Sequence, residues 1–271
     1  MPSLTDSTSD TPVVLVQLTD SHLFADPGGR LLGMNTAESL KRVIDRVLIE
    51  QPHVDLLLAT GDLSQDGSSA SYQAFLDAVA RVSAPLRAFP GNHDLHDPLA
   101  RIAGDSSLLD PIVDCGAWRI VLLDTAVPDA VHGHLDDNQL ALLERALSEK
   151  PERPALICLH HHPVPIGSAW MDRIGLDNAD ALFAVIDRHP QVRALLWGHI
   201  HQAFDSSRGG LRLLGTPSTC VQFAPASRDF KVDDQTPGYR WLSLSADGRL
   251  ETGVSRVDGI VCDVDYTVRG Y

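Results

Sequence analysis

The chain has 271 residues, of which 44% are hydrophobic, so it can bury a sizeable core and lies at the upper end of single-domain size. Its 22 Lys and Arg against 36 Asp and Glu give a net charge of −14. Such an acidic surface repels a phosphate backbone and an anionic membrane, and we therefore expect neither nucleic acid nor membrane as a partner.

The two ends of the chain carry little apolar sequence. Residues 1–12, MPSLTDSTSDTP, lack the basic and apolar regions of a secretory signal, and no later window resembles a membrane span. We expect a flexible segment over 1–12, a single domain over 13–271 and a cytoplasmic location. The sequence assigns no role to the C-terminal tail from about 258 to 271. The four cysteines are widely spaced and are predicted to be free thiols: Cys115, Cys158, Cys220 and Cys262.

Apolar runs alternate with helical patterns along the chain. Continuous Val, Leu and Ile runs predict buried strands at 13–18, 54–60, 86–89, 118–124, 155–159 and 192–197. Helical spacing predicts helices at about 35–49, 68–82, 136–148 and 178–189. Asn35 and Glu38 resemble a capping box that opens the first helix. After Arg208, alternating residues and an Asp-Gly turn predict antiparallel strands. The sequence therefore predicts an α/β domain with two packed sheets and helices outside.

Polar clusters follow five of the predicted strands. They read TDSHLF, GDLSQD, GNHD, HHHP and GHIH, and each stands at the C-terminal end of its strand. Ligands of open α/β sheets bind at this edge, because its loops converge on a crevice while the strands fix their positions. We expect the five clusters to meet in one site.

The side chains of these clusters are metal donors. Asp20 and His22 are two residues apart, as are His199 and His201, and such spacing in an extended segment puts both side chains on one side. Together with the other donors they are too many for one tetrahedral ion, which indicates two ions. Imidazole and carboxylate without thiolate favour Mn, Fe, Co, Ni or Zn. The predicted donors are Asp20, His22, Asp62, Asn92, His160, His199 and His201.

Two further residues of the third cluster are candidates for catalysis. His93 follows Asn92 on a turn, where adjacent side chains point apart, and its imidazole could protonate a leaving alkoxide. Asp94 could orient the His93 ring or raise its pKa. Neighbouring residues of the triple histidine face opposite ways, so they cannot all bind one ion. We choose His160, at the strand end, as the ligand.

Other polar residues keep two interpretations. His161 is predicted to support the ligands and His162 to be structural, and Asp66 is predicted to orient a ligand. His96 could touch substrate or stay solvated. The pair His132 and His134 imitates a chelating motif outside the ordered set. The segment TPSTCVQF could close over a ligand or only join two strands.

In this order, D-x-H, G-D, G-N-H-D, a strand-terminal His and G-H-x-H resemble the calcineurin-like metallophosphoesterases. The stretches ATGDLSQDGSSASY, LHHHPVPIGSAWMD, WGHIHQ, GTPSTCVQF and PGYRWL are more narrowly similar to bacterial class III 3′,5′-cyclic-AMP phosphodiesterases, from Val13 to Val257. The resemblance implies a four-layer α-β-β-α sandwich of two packed mixed sheets flanked by helices. It also implies hydrolysis of cyclic AMP to 5′-AMP by a metal-bridging hydroxide.

The same resemblance implies a distribution of the ligands over two divalent ions, with iron or manganese first and zinc, cobalt or nickel as alternatives. Asp62 bridges the ions. Asp20, His22 and His201 complete one ion, and Asn92, His160 and His199 complete the other. Asn92, His93 and His201 contact the substrate. Two alternatives stay open: the same core acting on glycerophosphodiesters or 2′,3′-cyclic nucleotides, and a scaffold that has lost catalysis.

Overall fold

The computed structural model describes residues 11–259 and 264–270. Most of the predicted flexible segment, residues 1–10, and Cys262 lie outside the described residues. Cys115, Cys158 and Cys220 are buried free thiols, which confirms the prediction for these three. None of the described helices combines the length and the apolar character needed to span a bilayer. The single domain over 13–271 stays a prediction.

The described strands, in chain order, are β1 (Val13–Leu18), β2 (Arg30–Leu31), β3 (Met34–Asn35), β4 (Leu56–Thr60), β5 (Leu86–Phe89), β6 (Ile112–Cys115), β7 (Trp118–Leu122), β8 (Ala155–Leu159), β9 (Val192–Trp197), β10 (Phe204–Arg208), β11 (Leu211–Gly215), β12 (Gly238–Leu244) and β13 (Leu250–Arg256). The described α-helices are α1 (Thr36–Glu50), α2 (Ser69–Val79), α3 (His96–Ala103), α4 (Asp137–Glu149) and α5 (Ala179–Ile186). Capping of α1 is as predicted, because the Asn35 side chain accepts the Glu38 N–H at 2.8 Å.

The larger strands form two mixed sheets. One has the order β13-β12-β1-β4-β5, with β1, β4 and β5 parallel and β12 antiparallel to β1. The other has the order β10-β11-β9-β8-β7-β6, with antiparallel strands β10 and β6 at its edges. The carboxyl ends of the parallel strands of each sheet therefore lie along one edge.

Three apolar cores make the molecule four-layered. Leu15 of the first sheet lies in the core between the sheets, together with Leu156 of the second. The next residue, Val16, faces the opposite way and packs with α1, α2 and α3. Ile157 likewise packs with α4 and α5 on the outside of the second sheet. Both faces of each central strand are covered, which explains the continuous apolar runs. The α-β-β-α sandwich predicted by the resemblance is confirmed.

Some element bounds differ from the predictions. Helix α3 was not predicted, because its N-cap residue Leu95 makes no side-chain cap and Pro98 stands in its first turn. Helix α5 ends at Ile186 instead of 189, since Pro190 disfavours a helical conformation at the residue before it. The edge strand β10 is mostly exposed and polar, so it carries no apolar run to detect.

A few other bounds are shifted by up to three residues. Helix α2 ends at Val79, and Ala80–Val82 forms a 3₁₀ turn. Strand β4 begins at Leu56 instead of 54, and β7 ends at Leu122 instead of 124. Such shifts occur where helices and strands fray, and none of them moves a predicted donor away from its strand end.

Candidate metal centre

The five polar clusters meet at the carboxyl ends of β1, β4, β5, β8 and β9, as the sequence predicts. Charged and imidazole side chains are rarely buried unless they pair or bind a ligand. Six of the predicted donors are nevertheless buried: Asp20, His22, Asp62, His160, His199 and His201.

Asp62 lies between two groups of imidazoles, one formed by His22 and His201 and the other by His160 and His199. Its Oδ2 is 3.2 Å from His160 Nε2 and 3.7 Å from His22 Nε2. Asp20 repeats this arrangement less closely, with Oδ1 at 3.3 Å from His201 Nε2 and 4.0 Å from His160 Nε2. The Nε2 atoms of His22 and His201 are 3.3 Å apart. Both carboxylates therefore face both groups, and Asp62 does so at the shorter distance to His160.

Two of the predicted donor atoms are buried and make no hydrogen bond to the described residues: Asn92 Oδ1 and His160 Nε2. His160 Nε2 instead faces the carboxylates of Asp62 and Asp20. An unsatisfied buried polar atom costs about 1–3 kcal/mol, and a bound cation would remove that cost for oxygen and imidazole donors alike. His160 and His199 also have ring nitrogens within 4.8 Å of each other. The residues present therefore fit metal ions.

In each of the four donor imidazoles, one ring nitrogen donates a hydrogen bond to an oxygen, which fixes the tautomer. Three rings donate Nδ1–H and so turn Nε2 towards the centre: His22 to Gln65 Oε1 at 2.6 Å, His201 to Val221 O at 2.8 Å and His160 to Thr60 O at 2.9 Å. His199 is reversed, because its Nε2–H donates to Ile174 O at 3.0 Å and leaves Nδ1 as the donor atom for a ligand.

The chelating pairs converge by a backbone conformation other than the predicted one. Asp20, His22, His199 and His201 have φ of 55°, 45°, 67° and 48°, and are therefore left-handed instead of extended. Asp62 has φ of 52°. Each such non-glycine residue costs of order 1–3 kcal/mol, and this conformation is typical of functional sites whose surroundings over-determine it.

Hydrogen bonds between the loops hold this backbone in place. The His199 N–H donates to Asp20 Oδ1 at 3.0 Å, which joins loops of the two sheets. The His22 N–H donates to Asp62 O at 2.9 Å. These bonds orient Asp20 and tie the loop after β1 to the loop after β4.

Two glycines of the motifs make room for the carboxylates. A Cβ on Gly91 would lie 2.2 Å from Asp62 Oδ1, and a Cβ on Gly198 would lie 2.8 Å from Asp20 Oδ2 and 2.1 Å from Thr19 Oγ1. The glycines of the G-N-H-D and G-H-x-H motifs are therefore required by close approach.

His93 stands at the border of the cluster. Its N–H donates to Asp62 Oδ1 at 2.8 Å, and its ring centroid lies 4.9 Å from that of His22 at an interplanar angle of 76°. The ring is half-buried and lines a cavity beside the donors. His93 can therefore reach both the donors and a molecule in the cavity.

Asp94 lies beneath the loops. The sequence predicts that it orients the His93 ring or raises its pKa, and this stays a prediction. Its carboxylate accepts the N–H groups of Gly91 at 2.9 Å, Ser64 at 3.0 Å and Leu63 at 3.1 Å. It thus joins the loop after β4 to the loop after β5.

Burial and charge shift the pKa values within the cluster. Burial lowers the pKa of His22 to about 3, which favours the neutral imidazole that binds metals. Burial opposes a charged His160, but the Asp62 carboxylate outweighs it and raises the pKa to about 9. Burial and the charge of Asp62 raise the pKa of Asp94 to about 7. Asp62 is therefore the largest charge that acts on His160 and on Asp94.

His161 and His162, which follow the donor His160 in the chain, take different positions. His161 Nδ1 lies 2.7 Å from Thr125 Oγ1, and its Nε2 is buried without a hydrogen-bond partner among the described residues. Its ring centroid lies 4.6 Å from that of His199, beside the donors. The His162 ring is also buried and stacks at 5.8 Å on His199.

The remaining histidine candidates face acidic side chains. His134 Nδ1 and His132 Nε2 lie 2.7 and 3.8 Å from the carboxylate of Asp177. His96 Nε2 lies 2.7 Å from Asp124 Oδ2. These exposed pairs account for the apparent chelating motif at 132–134 without an ion.

The segment TPSTCVQF joins β11 to β12 and packs against the donors. The Phe223 ring stacks on His201 at 4.2 Å and 8°. Cys220 Sγ lies within 4.8 Å of the ring nitrogens of His22 and His201, and this neighbour was missed because spacing alone does not connect residues so far apart. The segment therefore supports His201 from within the fold.

A cavity of about 240 Å³ opens beside the donors. Asn92, His93 and His199 line one side, and aromatic residues including Trp170 line the other. Gly270 of the C-terminal tail also lines it. Trp170 was missed, because an isolated aromatic residue in a sequence more often indicates core than a site.

Residues 13–203 match the model of the calcineurin-like phosphoesterase family, and the chain belongs to this family, whose members bind two metal ions. It is 60% identical to the 3′,5′-cyclic adenosine monophosphate phosphodiesterase CpdA of Pseudomonas aeruginosa, over 97% of each chain. It is 44% identical to the protein of the same name from Escherichia coli K12, over 96% of this chain and 95% of that one. A dimetal phosphatase from Danio rerio shares the fold, with a TM-score of 0.62 and 16% identity over 92% of this chain and 100% of that one.

Proposed function

We propose that this protein is a phosphodiesterase that hydrolyses 3′,5′-cyclic AMP to 5′-AMP. The position of Asp62 between two groups of buried imidazoles carries the proposal, since its carboxylate would be within reach of ions held by either group. The relatives named for cyclic AMP hydrolysis align over nearly the whole chain and support this substrate.

The donors would divide between two divalent ions, with Asp62 facing both. His22, His201 and Asp20 are mutually close and would hold one ion. His160, His199 and Asn92 would hold the other. Nitrogen and oxygen donors suit iron or manganese, with zinc, cobalt or nickel as alternatives.

Two such ions, when bound, make a water more acidic and stabilise charge on the attacking and leaving oxygens. Asn92 supports this electrostatically. Its Oδ1 is buried, and because its amide is neutral it adds no negative charge that would repel a phosphodiester. Asn92 and His201 thereby help to hold the phosphate.

His93 acts on the leaving group. Water loses a proton to solvent and attacks phosphorus, and the bond from phosphorus to the ribose 3′ oxygen breaks. The protonated ring of His93 gives its proton to that oxygen and regains one from solvent. The bond from the His93 N–H to Asp62 fixes the backbone of His93 beside the donors. Asp94 is a positioning residue, since it holds the loop of His93 through three backbone N–H groups.

An assay with several phosphodiesters tests the substrate. The Mn²⁺-loaded protein is given 3′,5′-cyclic AMP, 3′,5′-cyclic GMP, 2′,3′-cyclic AMP and glycerophosphocholine, and kcat/KM and products are compared. We expect 3′,5′-cyclic AMP to have the highest kcat/KM and to yield 5′-AMP. Preferred cleavage of another diester would contradict the substrate, and no cleavage of any diester would favour a scaffold. The cytoplasmic location stays a prediction.

A further inference from the structure

Three aromatic side chains form the apolar wall of the cavity beside the donors. Trp170, Phe223 and Phe230 contact one another edge to face, with ring centroids 5.1 to 5.3 Å apart and interplanar angles of 65° to 74°. Aromatic rings packed in this way support one another. Phe223 also stacks on His201, so the wall is fixed directly to the donor cluster.

The indole of Trp170 carries a hydrogen-bond donor beside this cavity. Its Nε1 is buried and has no hydrogen-bond partner among the described residues. A buried Trp N–H normally finds a partner, because leaving it unsatisfied destabilises the protein. A ligand in the cavity would satisfy this N–H if it carried a hydrogen-bond acceptor, such as a ring nitrogen.

The cavity suits one part of a nucleotide. Its volume of about 240 Å³ is smaller than the roughly 300–1,000 Å³ typical of whole-ligand pockets, so it accommodates a base rather than an entire nucleotide. Its polar side, Asn92 and His199, is part of the donor cluster, so a phosphate held there would direct the rest of its nucleotide along the cavity.

We propose that this cavity is the nucleobase subsite, in which Trp170 donates its indole N–H to a ring nitrogen of the purine while the aromatic wall packs against the base. This inference rests on the proposed function. A polyol group in this cavity would place its hydroxyls against the aromatic rings, where they would lack hydrogen-bond partners. A quaternary ammonium group suits aromatic rings but cannot accept the indole N–H.

Binding of 5′-AMP and ribose 5-phosphate to the Mn²⁺-loaded enzyme, measured by calorimetry, tests the subsite. Both ligands carry the sugar and phosphate, and only the first carries the base. Trp170→Phe keeps a ring and removes the N–H, and we expect it to weaken 5′-AMP binding by about 3- to 10-fold. Trp170→Leu also removes the ring and should weaken it by about 10- to 100-fold. Ribose 5-phosphate binding should not change.

Trp241→Phe, on β12 and away from the cavity, is the matched control and should change neither affinity. Melting temperatures identify a variant that fails to fold, in which case the conservative Trp170→Phe decides. Equal weakening of both ligands, or no weakening of either, would overturn the subsite. Tighter binding of glycerophosphocholine than of 5′-AMP, lost in Trp170→Leu, would overturn it in favour of a cation. Failure of the wild type to cleave cyclic AMP would instead contradict the proposed function.

Discussion

The donor cluster and the aromatic wall lie side by side but are built by different means. The cluster is buried, uses left-handed backbone at five of its residues, and holds the far side of each imidazole with an oxygen. In the wall, Trp170 and Phe230 are half-buried and are held mainly by ring contacts. Reactivity therefore depends on fixed polar geometry, whereas recognition of the base depends on apolar packing. Substitutions should separate the two.

The largest effect is expected for Asp62→Asn. Asp62 faces both imidazole groups, so loss of its charge should weaken both ions and lower kcat/KM by roughly 10⁴-fold. Metal content by mass spectrometry and cyclic AMP hydrolysis measure this. Asp77→Asn, an exposed carboxylate on α2, is the control. An Asp62→Asn protein with two ions and wild-type turnover would contradict the shared role.

His93→Ala should separate catalysis from metal binding. Loss of the proton donor should lower kcat for cyclic AMP by about 10²- to 10⁴-fold while both metals stay bound. A diester with a 4-nitrophenolate leaving group needs less protonation, so the variant should lose less activity towards this substrate than towards cyclic AMP. If the variant loses both metals, His93 is a ligand instead of an acid.

The sequence predicted the donor cluster because each donor lies within a few residues of a strand end, and strand ends of one sheet meet at one edge. The four layers followed from apolar runs and from the resemblance. Other features depend on contacts between distant segments. The left-handed conformation of His199 is stabilised by Asp20, and Trp170 meets Phe223 only in the folded chain. Helix α3 lacks a cap signal, so local patterns do not reveal it.

A smaller effect is expected for Asn92→Asp, which adds a negative charge where the phosphodiester binds. KM for cyclic AMP should rise about tenfold, or by about 1.4 kcal/mol, with both metals retained. Steady-state kinetics with parallel metal analysis measure this. Asn138→Asp adds the same charge on exposed α4 and should leave KM unchanged. An unchanged KM in Asn92→Asp would contradict the electrostatic role of the amide.

Gly198→Ala is expected to act on stability. The added methyl would contact Thr19 Oγ1 and Asp20 Oδ2 and should lower the free energy of unfolding by about 1–3 kcal/mol. Denaturant unfolding measures this change. Gly210→Ala is the matched control, since its Cβ would meet nothing within 4 Å. Equal free energies of unfolding for the two variants would contradict this expectation and show that the loop after β9 can move to accept the methyl group.

The most direct test of the central claim is anomalous X-ray scattering from crystals saturated with Mn²⁺. We expect two manganese peaks about 3.5–4 Å apart, with the Asp62 carboxylate between them. A single peak, or two peaks of which only one contacts Asp62, would contradict the shared-carboxylate centre.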